Sequence, residues 1–296
     1  MWPPWMVVST TGHVALTLVC RDTSVIHAHH LAQLRCPHCH GQLTHHHGNA
    51  RHGEVICTQQ HGFAIRHGVL DLRTLPPAQS RAAQSNEWQL TAWAYERIWR
   101  PYALTILSGQ VFGYDHELPL ICAGIATAQV IVDVACSNGL YARAAARTAP
   151  QAVVIGIDRA WPMLVEAERR AHAAHLDIGY VCADARALPM PDAGCDAILI
   201  GGSWNEMEET HRVIAEMSRI SRPGTQLRSM GLTASLRWPA RVIQPLLATH
   251  GGVHFPAAQE LATTMATHGW HIDRQQHYGI VEFVWGSYLP HDRDNA

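Results

Sequence analysis

The stretch that decides the fold is Val130-Ile-Val-Asp-Val-Ala-Cys-Ser-Asn-Gly139, an apolar run that ends in a turn of small residues. An Ala-rich helix to about Thr148 follows it, and the same alternation of strand and helix continues along the chain. Strands alternating with helices at this spacing predict an α/β fold with a doubly wound, mostly parallel sheet. The later predicted elements are strands at Val153 to Ile157, from Tyr180, Asp196 to Ile200 and Gln226 to Gly231, and helices at Trp161 to His175, about Glu208 to Ile220 and Ala257 to His268, before a closing strand pair at Trp270 to Gln276 and Gly279 to Trp285.

The rest of the chain divides by composition into segments with different roles. Residues 1–30 form a poorly defined extension, and residues 31–75 hold a compact cysteine and histidine cluster. Residues 76–120 combine a linker with an aromatic helical segment, which carries Trp88, Trp93, Tyr95 and Trp99. Residues 121–290 are predicted to form the α/β domain.

Composition excludes several functional classes. The 296 residues carry a net charge of -2, so no overall positive charge favours nucleic acid. All 22 basic residues are arginine, which excludes lysine Schiff bases and lysine-based phosphate loops. No apolar run is long enough to cross a membrane, and the N-terminus does not resemble a signal peptide, so a cytoplasmic protein with reduced or metal-bound cysteines is expected.

The cluster in residues 31–75 has the spacing of a zinc ribbon. Cys36 and Cys39 form a C-x2-C pair, and Cys57 and His61 follow about twenty residues later. Four protein ligands leave no open coordination position, so the pattern predicts a structural zinc ion. His38, His40 and the run His45 to His47 are competing ligands.

Polar and small residues follow three of the predicted strands. Ala135, Ser137 and Gly139 occupy the turn after the first strand, at the places of a glycine triplet. Asp158 ends the next strand, where an acid can hold ribose hydroxyl groups, and Asp184 ends the third. Because parallel strands end at one edge of the sheet, these residues predict a nucleotide cleft there.

In combination these motifs resemble class I S-adenosylmethionine-dependent methyltransferases of the ubiquinone/menaquinone type, whose domain has a Rossmann-like fold. The resemblance covers about residues 86–286 and is also carried by Leu188 to Leu199 and Ile214 to Gly224, which are similar to "LPFPDxSFDxV" and "xxExxRVLRPGG". It implies S-adenosylmethionine as cofactor. The implied cofactor-binding residues are Asp133, Ala135, Ser137, Gly139, Asp158, Asp184 and Ala185 at the adenine edge, and Gly201.

The chain departs from the family pattern in the turn, where two glycines are replaced by Ala135 and Ser137, and at Thr225, which replaces the second glycine of "RPGG". A ribbon also precedes such domains in ribosomal RNA guanine methyltransferases and in plastid and cyanobacterial quinone-type relatives. Tyr95-Glu-Arg-Ile-Trp-Arg100 is similar to the "YERGWR" segment of the second group.

The acceptor-facing loop after the fourth strand begins at Gly201 and contains Trp204. The loop lacks the Asn/Asp-Pro-Pro-aromatic tetrad of amino-methylating nucleic-acid enzymes, and the chain lacks a Pro-Cys motif for pyrimidine methylation. Asn205 could line an acceptor pocket, and Glu206 or His211 could take a proton. Each of these residues could equally begin or cap the helix that follows.

Three functions remain open. The leading hypothesis is a methyltransferase that acts on a small, apolar acceptor such as a quinone, an isoprenoid or a pigment precursor. The second is an RNA base methyltransferase, in which the ribbon reads RNA through Arg35, Arg51, Arg66 and Arg73. The third is a cofactor-binding scaffold without catalysis.

Overall fold

A computed structural model of the chain describes residues 26–49, 51–75, 100–207, 209–235, 241, 244–245, 248–249 and 254–290. The predicted linker at 76–85 and the aromatic residues Trp88, Trp93, Tyr95 and Trp99 lie outside the described residues. The helices are α1 (Ala28–Ala32), α2 (Arg100–Ser108), α3 (Tyr114–Ile121), α4 (Leu140–Thr148), α5 (Trp161–Ala173), α6 (Thr210–Ile220) and α7 (Ala258–Thr267). The strands are β1 (Leu43–Gly48), β2 (Gly53–Cys57), β3 (Gly62–Arg66), β4 (Val69–Asp71), β5 (Val130–Val134), β6 (Val153–Asp158), β7 (Gly179–Cys182), β8 (Cys195–Gly201), β9 (Ser221–Leu232), β10 (Trp270–Tyr278) and β11 (Val281–Tyr288).

All these strands belong to one sheet, in the order β1-β2-β3-β4-β7-β6-β5-β8-β9-β11-β10. The pairs from β4 to β9 are parallel, and the pairs on both flanks are antiparallel. The whole sheet is therefore mixed, but within residues 121–290 it is mostly parallel, as predicted, because only the pairs that β11 forms with β9 and β10 are antiparallel. The sequence did not indicate β2 and β3, nor that the segment 31–75 joins the same sheet.

The central strands are mostly apolar because both faces of the sheet are covered. Every residue of β5 is buried. Val132 faces a core shared with α6, α7 and the segment 31–75, whereas Ile131 faces a core shared with α3, α4 and α5. This alternation follows from the two-residue period of a strand. The predicted strand and helix positions in this region are confirmed to within a few residues.

The segment 31–75 is a four-stranded antiparallel ribbon, which we call the ribbon. Its last hairpin turns at His67 and Gly68, which both have positive φ (53° and 76°), as a two-residue hairpin turn requires. The following strand, β4, pairs in parallel with β7. The ribbon thus extends the α/β sheet.

The C-terminal strands close the other flank. β11 pairs with both β9 and β10, which confirms the predicted strand pair. β9 begins at Ser221, earlier than predicted, and its pairing with β8 is interrupted between Cys195 and Ala197. Thr225 stabilises this interruption, since its Oγ1 donates to the carbonyl oxygen of Cys195 at 2.7 Å. Within the described residues, no helix is both long enough and apolar enough to cross a membrane.

Candidate functional site

The turn after β5 retains a left-handed backbone at three alternate positions. Ala135, Ser137 and Gly139 have φ of 52°, 50° and 73°. A left-handed conformation costs a non-glycine residue about 1–2 kcal/mol. The turn therefore has the backbone that suits glycine, although only one of the three residues is glycine. Within the turn, the backbone N–H groups of Cys136 and Gly139 donate to the carbonyl oxygens of Ile157 and Cys136 at 3.0 and 2.8 Å.

Asp158 joins this turn to the end of β6. Its Oδ2 accepts a hydrogen bond from the backbone N–H of Ser137 at 2.7 Å, and its Oδ1 accepts one from Ala160 at 2.8 Å. Burial raises the pKa of this carboxyl group, and the backbone donors oppose the rise. Each carboxylate oxygen keeps a further lone pair, so Asp158 can still accept from hydroxyl groups of a ligand.

Two of the predicted cofactor residues, Asp133 and Gly139, do not line the cleft described below. Asp133 is 1% exposed, and its Oδ2 accepts from the backbone N–H of Ala142 at 2.8 Å. Burial raises the pKa of Asp133 to about 8. A Cβ atom at Gly139 would lie 2.4 Å from the hydroxyl oxygen of Tyr180, so close packing as well as positive φ requires glycine here. Both residues fix the conformation of the turn through these contacts.

An open cleft lies where β5, β6, β7 and β8 end. Six of the eight predicted cofactor residues line it: Ala135, Ser137, Asp158, Asp184, Ala185 and Gly201. Glu206, a predicted acceptor-side residue, lines it as well. The sequence did not point to its other lining side chains, among which are Arg159, Met163, Arg186, Ser203 and Met207.

Asp184 is already paired with arginines. Arg186 donates to it through Nε at 2.9 Å and through an Nη at 3.0 Å, and Arg159 donates at 3.1 Å. Burial alone would raise the pKa of Asp184, but Arg186 and then Arg159 lower it below its ordinary value. Arg186 also pairs with Glu209 at the start of α6. Asp184, Arg159, Arg186 and Glu209 thus form a group of paired charges at the end of β7, which we call the corner at Asp184. The spacing Asp184-Ala-Arg186 was the signal that could have indicated it.

The three polar candidates that follow β8 lie in different surroundings. Asn205 is 2% exposed, and its amide donates to the carbonyl oxygens of Leu232 and His254 at 2.7 and 2.5 Å. It therefore fixes the loop and does not line the cleft. Glu206 lines the cleft, whereas His211 is exposed on α6 and is not among the lining residues.

A buried charged group lies beside the same loop. Arg100 donates to Glu117 at 2.5 Å and to the hydroxyl group of Tyr141 at 3.0 Å, and Tyr141 also donates to Glu117. A Cβ atom at Gly201 would lie 2.1 Å from the Tyr141 ring, and one at Gly202 would lie 3.6 Å from Arg100. Sequence reasoning missed this group, although Arg100 ends the quoted Tyr95 to Arg100 segment.

The four predicted ribbon ligands are brought together. The Sγ atoms of Cys39 and Cys57 are 3.5 Å apart, and Nδ1 of His61 lies 3.5 Å from Sγ of Cys36 and 3.3 Å from that of Cys57. Zinc–sulfur bonds of 2.3 Å in a tetrahedron would place two sulfurs about 3.8 Å apart. The observed separations are close to this value and far longer than a disulfide bond.

The electrostatics of Cys57 suit a metal ligand. Burial favours its neutral thiol, but the backbone N–H groups of His61 and Gln59 donate to its Sγ at 3.3 Å each and lower the pKa of Cys57 to about 6. Burial raises the pKa of Cys36. A thiolate is the form that binds zinc, so the cluster is partly prepared for a cation.

The other histidines do not join this cluster. His38 packs its ring against that of His61 at a centroid distance of 5.1 Å. His46 and His47 lie near Glu54 in a separate exposed group, and His29 and His30 lie near Asp177 in another; His40 and His45 belong to none of these groups. In the group with Asp177, Nδ1 of His30 accepts from the backbone N–H of His27 at 3.1 Å. A neutral His30 then carries its proton on Nε2, which is unsuitable for a metal ligand at that atom.

Comparison with known proteins agrees with the geometry of the cleft. Residues 131–224 match the family described as "Methyltransferase domain". A demethylmenaquinone methyltransferase of Thermus thermophilus is 37% identical over 97 residues, which are 33% of this chain and 44% of that protein. The 27-O-demethylrifamycin SV methyltransferase of Amycolatopsis mediterranei is 34% identical over 99 residues, which are 33% of this chain and 36% of that protein. The matched region spans less than half the length of these relatives.

Solved structures show the same fold at low sequence identity. A phosphoethanolamine methyltransferase of Haemonchus contortus in complex with S-adenosylhomocysteine has a TM-score of 0.55 at 14% identity, over 73% of this chain and 61% of that chain. The [4+2]-cyclase SpnF has a TM-score of 0.54 at 17% identity, over 74% of this chain and 99% of that chain. Since one of these neighbours is described as a cyclase, the fold alone does not define the reaction. The family match and the relatives together identify residues 131–224 as a methyltransferase domain of the S-adenosylmethionine-dependent class.

Proposed function

We propose that this protein transfers a methyl group from S-adenosylmethionine to a small, apolar acceptor such as a quinone, an isoprenoid or a pigment precursor. The observation that carries the proposal is the cleft, which gathers the left-handed turn, Asp158 and the corner at Asp184 at one edge of the sheet. An anionic, hydrogen-bonding edge of this kind suits a nucleoside with free ribose hydroxyl groups.

Each part of the cleft has a separate task in this proposal. Asp158 accepts hydrogen bonds from the ribose, and the peptide groups of Ala135 to Gly139 contact the cofactor where side chains are small. Ala185 and the corner at Asp184 border the adenine. The bound cofactor supplies an electrophilic methyl group.

The acceptor side needs alignment more than chemical activation. Methyl transfer from a sulfonium is an in-line displacement, which the protein promotes by orienting the acceptor and excluding water. Met207 and Val213 give this side apolar surface, and Glu206 is the one of the three acceptor-side candidates that lines the cleft. We therefore assign to Glu206 the role of taking a proton from an acceptor that must lose one.

The relatives support a small acceptor, because their names describe a menaquinone precursor and a rifamycin precursor as substrates. The RNA hypothesis receives less support from the ribbon. Arg51 is paired with Glu168, and Arg66 and Arg73 are paired with Asp71. Arg35 donates to the carbonyl oxygens of Ala32 and Leu34. All four ribbon arginines are thus already engaged within the protein.

We also propose that Cys36, Cys39, Cys57 and His61 hold one structural zinc ion. The fit of the four donor atoms and the low pKa of Cys57 support this assignment. A closed set of four protein ligands offers no coordinated water, so the metal would stabilise the ribbon and take no part in methyl transfer.

Calorimetry and a labelling assay together test the proposed function. S-Adenosylhomocysteine should release or absorb measurable heat on binding, and label from methyl-labelled S-adenosylmethionine should enter a quinone and isoprenoid pool with little change between low and moderate salt. Label entering ribosomal RNA, with activity that falls steeply with salt, would favour the RNA hypothesis. Binding of S-adenosylhomocysteine without transfer of label to either pool would favour the cofactor-binding scaffold, and absence of binding at millimolar ligand would contradict the proposed function.

A further inference from the structure

The ribbon lies beside the strand that presents Asp184 to the cleft. Its strand β4 pairs in parallel with β7, with Leu70 opposite Val181 and Asp71 opposite Cys182. The backbone N–H of Leu72 continues the ladder by donating to Cys182 at 2.9 Å. The chain then passes directly from Cys182 to the cleft residues at 183–186. The strand that presents Asp184 is therefore held on one side by β6 and on the other by the ribbon.

A second contact joins the ribbon to the loop that follows Asp184. The backbone N–H of Arg35, the residue before Cys36, donates to the carbonyl oxygen of Pro189 at 2.9 Å. One residue further on, the N–H of Cys36 donates to Gly41 within the ribbon. The first cysteine pair and the loop after β7 are thus fixed to each other through the backbone.

A third contact reaches α5, the helix that follows Asp158. Arg51 donates to both carboxylate oxygens of Glu168 at 3.0 and 3.1 Å, and the side chain of Glu168 is 3% exposed. The guanidinium groups of Arg66 and Arg73 lie 5.2 and 5.9 Å from the ring centre of Trp161, the first residue of α5. Segments that contact the ribbon therefore follow both the corner at Asp184 and Asp158.

We propose that metal binding at the cysteine cluster and nucleoside binding in the cleft are energetically coupled through these contacts. The proposal rests on the proposed function. The ribbon spans 45 residues, and a bound structural metal would supply part of the free energy that folds it. Without the metal, the pairing of β4 with β7 and the contact of Arg51 with the buried Glu168 are weakened, so the corner at Asp184 is held less firmly. Coupling free energies are reciprocal, so ligand in the cleft must also tighten the metal.

The first arm of the test measures S-adenosylhomocysteine binding by calorimetry, with zinc-loaded full-length protein and with protein stripped by a chelator. We expect the stripped protein to bind about 5- to 150-fold more weakly, the usual range of coupling between two sites. Equal affinity in both forms would overturn the coupling. Failure of the loaded protein to bind at all would instead contradict the proposed function, so the two failures are distinguishable.

The second arm uses loaded protein alone, and it decides the question if the stripped protein unfolds. Zinc transfer to a chromogenic chelator is followed with and without saturating S-adenosylhomocysteine, and we expect the ligand to slow or reduce the transfer. Arg51→Gln should leave the metal content unchanged and bring the effect of the ligand towards none. Arg169→Gln is the matched control, because Arg169 pairs with Glu166 on the same helix. Transfer that is indifferent to the ligand would overturn the proposal.

Discussion

The cysteine cluster and the turn after β5 build their sites in opposite ways. At the cluster, four side chains provide the functional atoms, and the backbone only brings Cys36, Cys39, Cys57 and His61 close together. At the turn, the backbone conformation defines the site. This conformation is left-handed at three positions, although alanine and serine occupy two of the three places of a glycine triplet. Substitution should therefore be destructive at the first and tolerated, or even favourable, at the second.

The largest effect is expected when two of the cysteines are replaced. Cys36→Ser together with Cys39→Ser should abolish binding of the proposed zinc ion and unfold the ribbon, since a structural zinc site contributes on the order of 10 kcal/mol of apparent binding free energy. Elemental analysis and limited proteolysis between residues 31 and 75 provide the measurement. Cys122→Ser is the control, because Cys122 lies outside the cluster. A double variant with full metal content would refute the assignment.

An intermediate effect is expected at Asp158, where a side chain supports a backbone site. Asp158→Ala removes the acceptor for Ser137 and Ala160 as well as for the ligand, and should weaken S-adenosylhomocysteine by about 1–3 kcal/mol. Asp158→Asn keeps one acceptor oxygen and should lose less. Calorimetry at equal protein stability compares the two. Unchanged affinity in the alanine variant would show that Asp158 only holds the turn.

The smallest effect should have the opposite sign. Ala135→Gly or Ser137→Gly removes the strain of a left-handed non-glycine residue and should stabilise the fold by up to about 1 kcal/mol, after the entropy that glycine gains on unfolding is subtracted. Urea unfolding gives the change in the free energy of unfolding. Ala142→Gly, in the helix that follows, is the control and should destabilise. A loss of stability at both turn positions would mean that the backbone depends on these side chains after all.

The same contrast explains how much the sequence could predict. The strand Val130 to Val134 and the helices around it followed from apolar periodicity, and the grouping of Cys36, Cys39, Cys57 and His61 followed from cysteine spacing, because both signals are local. The charged group of Arg100, Glu117 and Tyr141 was missed, since its members are 17 and 41 residues from Arg100 in sequence and nothing local pairs them. Strands β2 and β3 were missed, although Gly62–Arg66 alternates exposed and buried residues as a half-buried strand does. The acceptor-side candidates were separated by the structure: Glu206 lines the cleft, whereas the amide of Asn205 donates to the carbonyl groups of Leu232 and His254 and fixes the loop.

The parallel pairing of β4 with β7 joins segments more than one hundred residues apart in the chain. At a synthesis rate of about 5–20 residues per second, β4 would leave the ribosome roughly 5–20 s before its partner strand. The ribbon would spend that interval with one edge of its sheet unpaired, the kind of edge on which other chains can add. A metal ion taken up early would hold the ribbon in its final shape while it waits, so the order of metal insertion and sheet completion becomes a matter of folding yield in the cell.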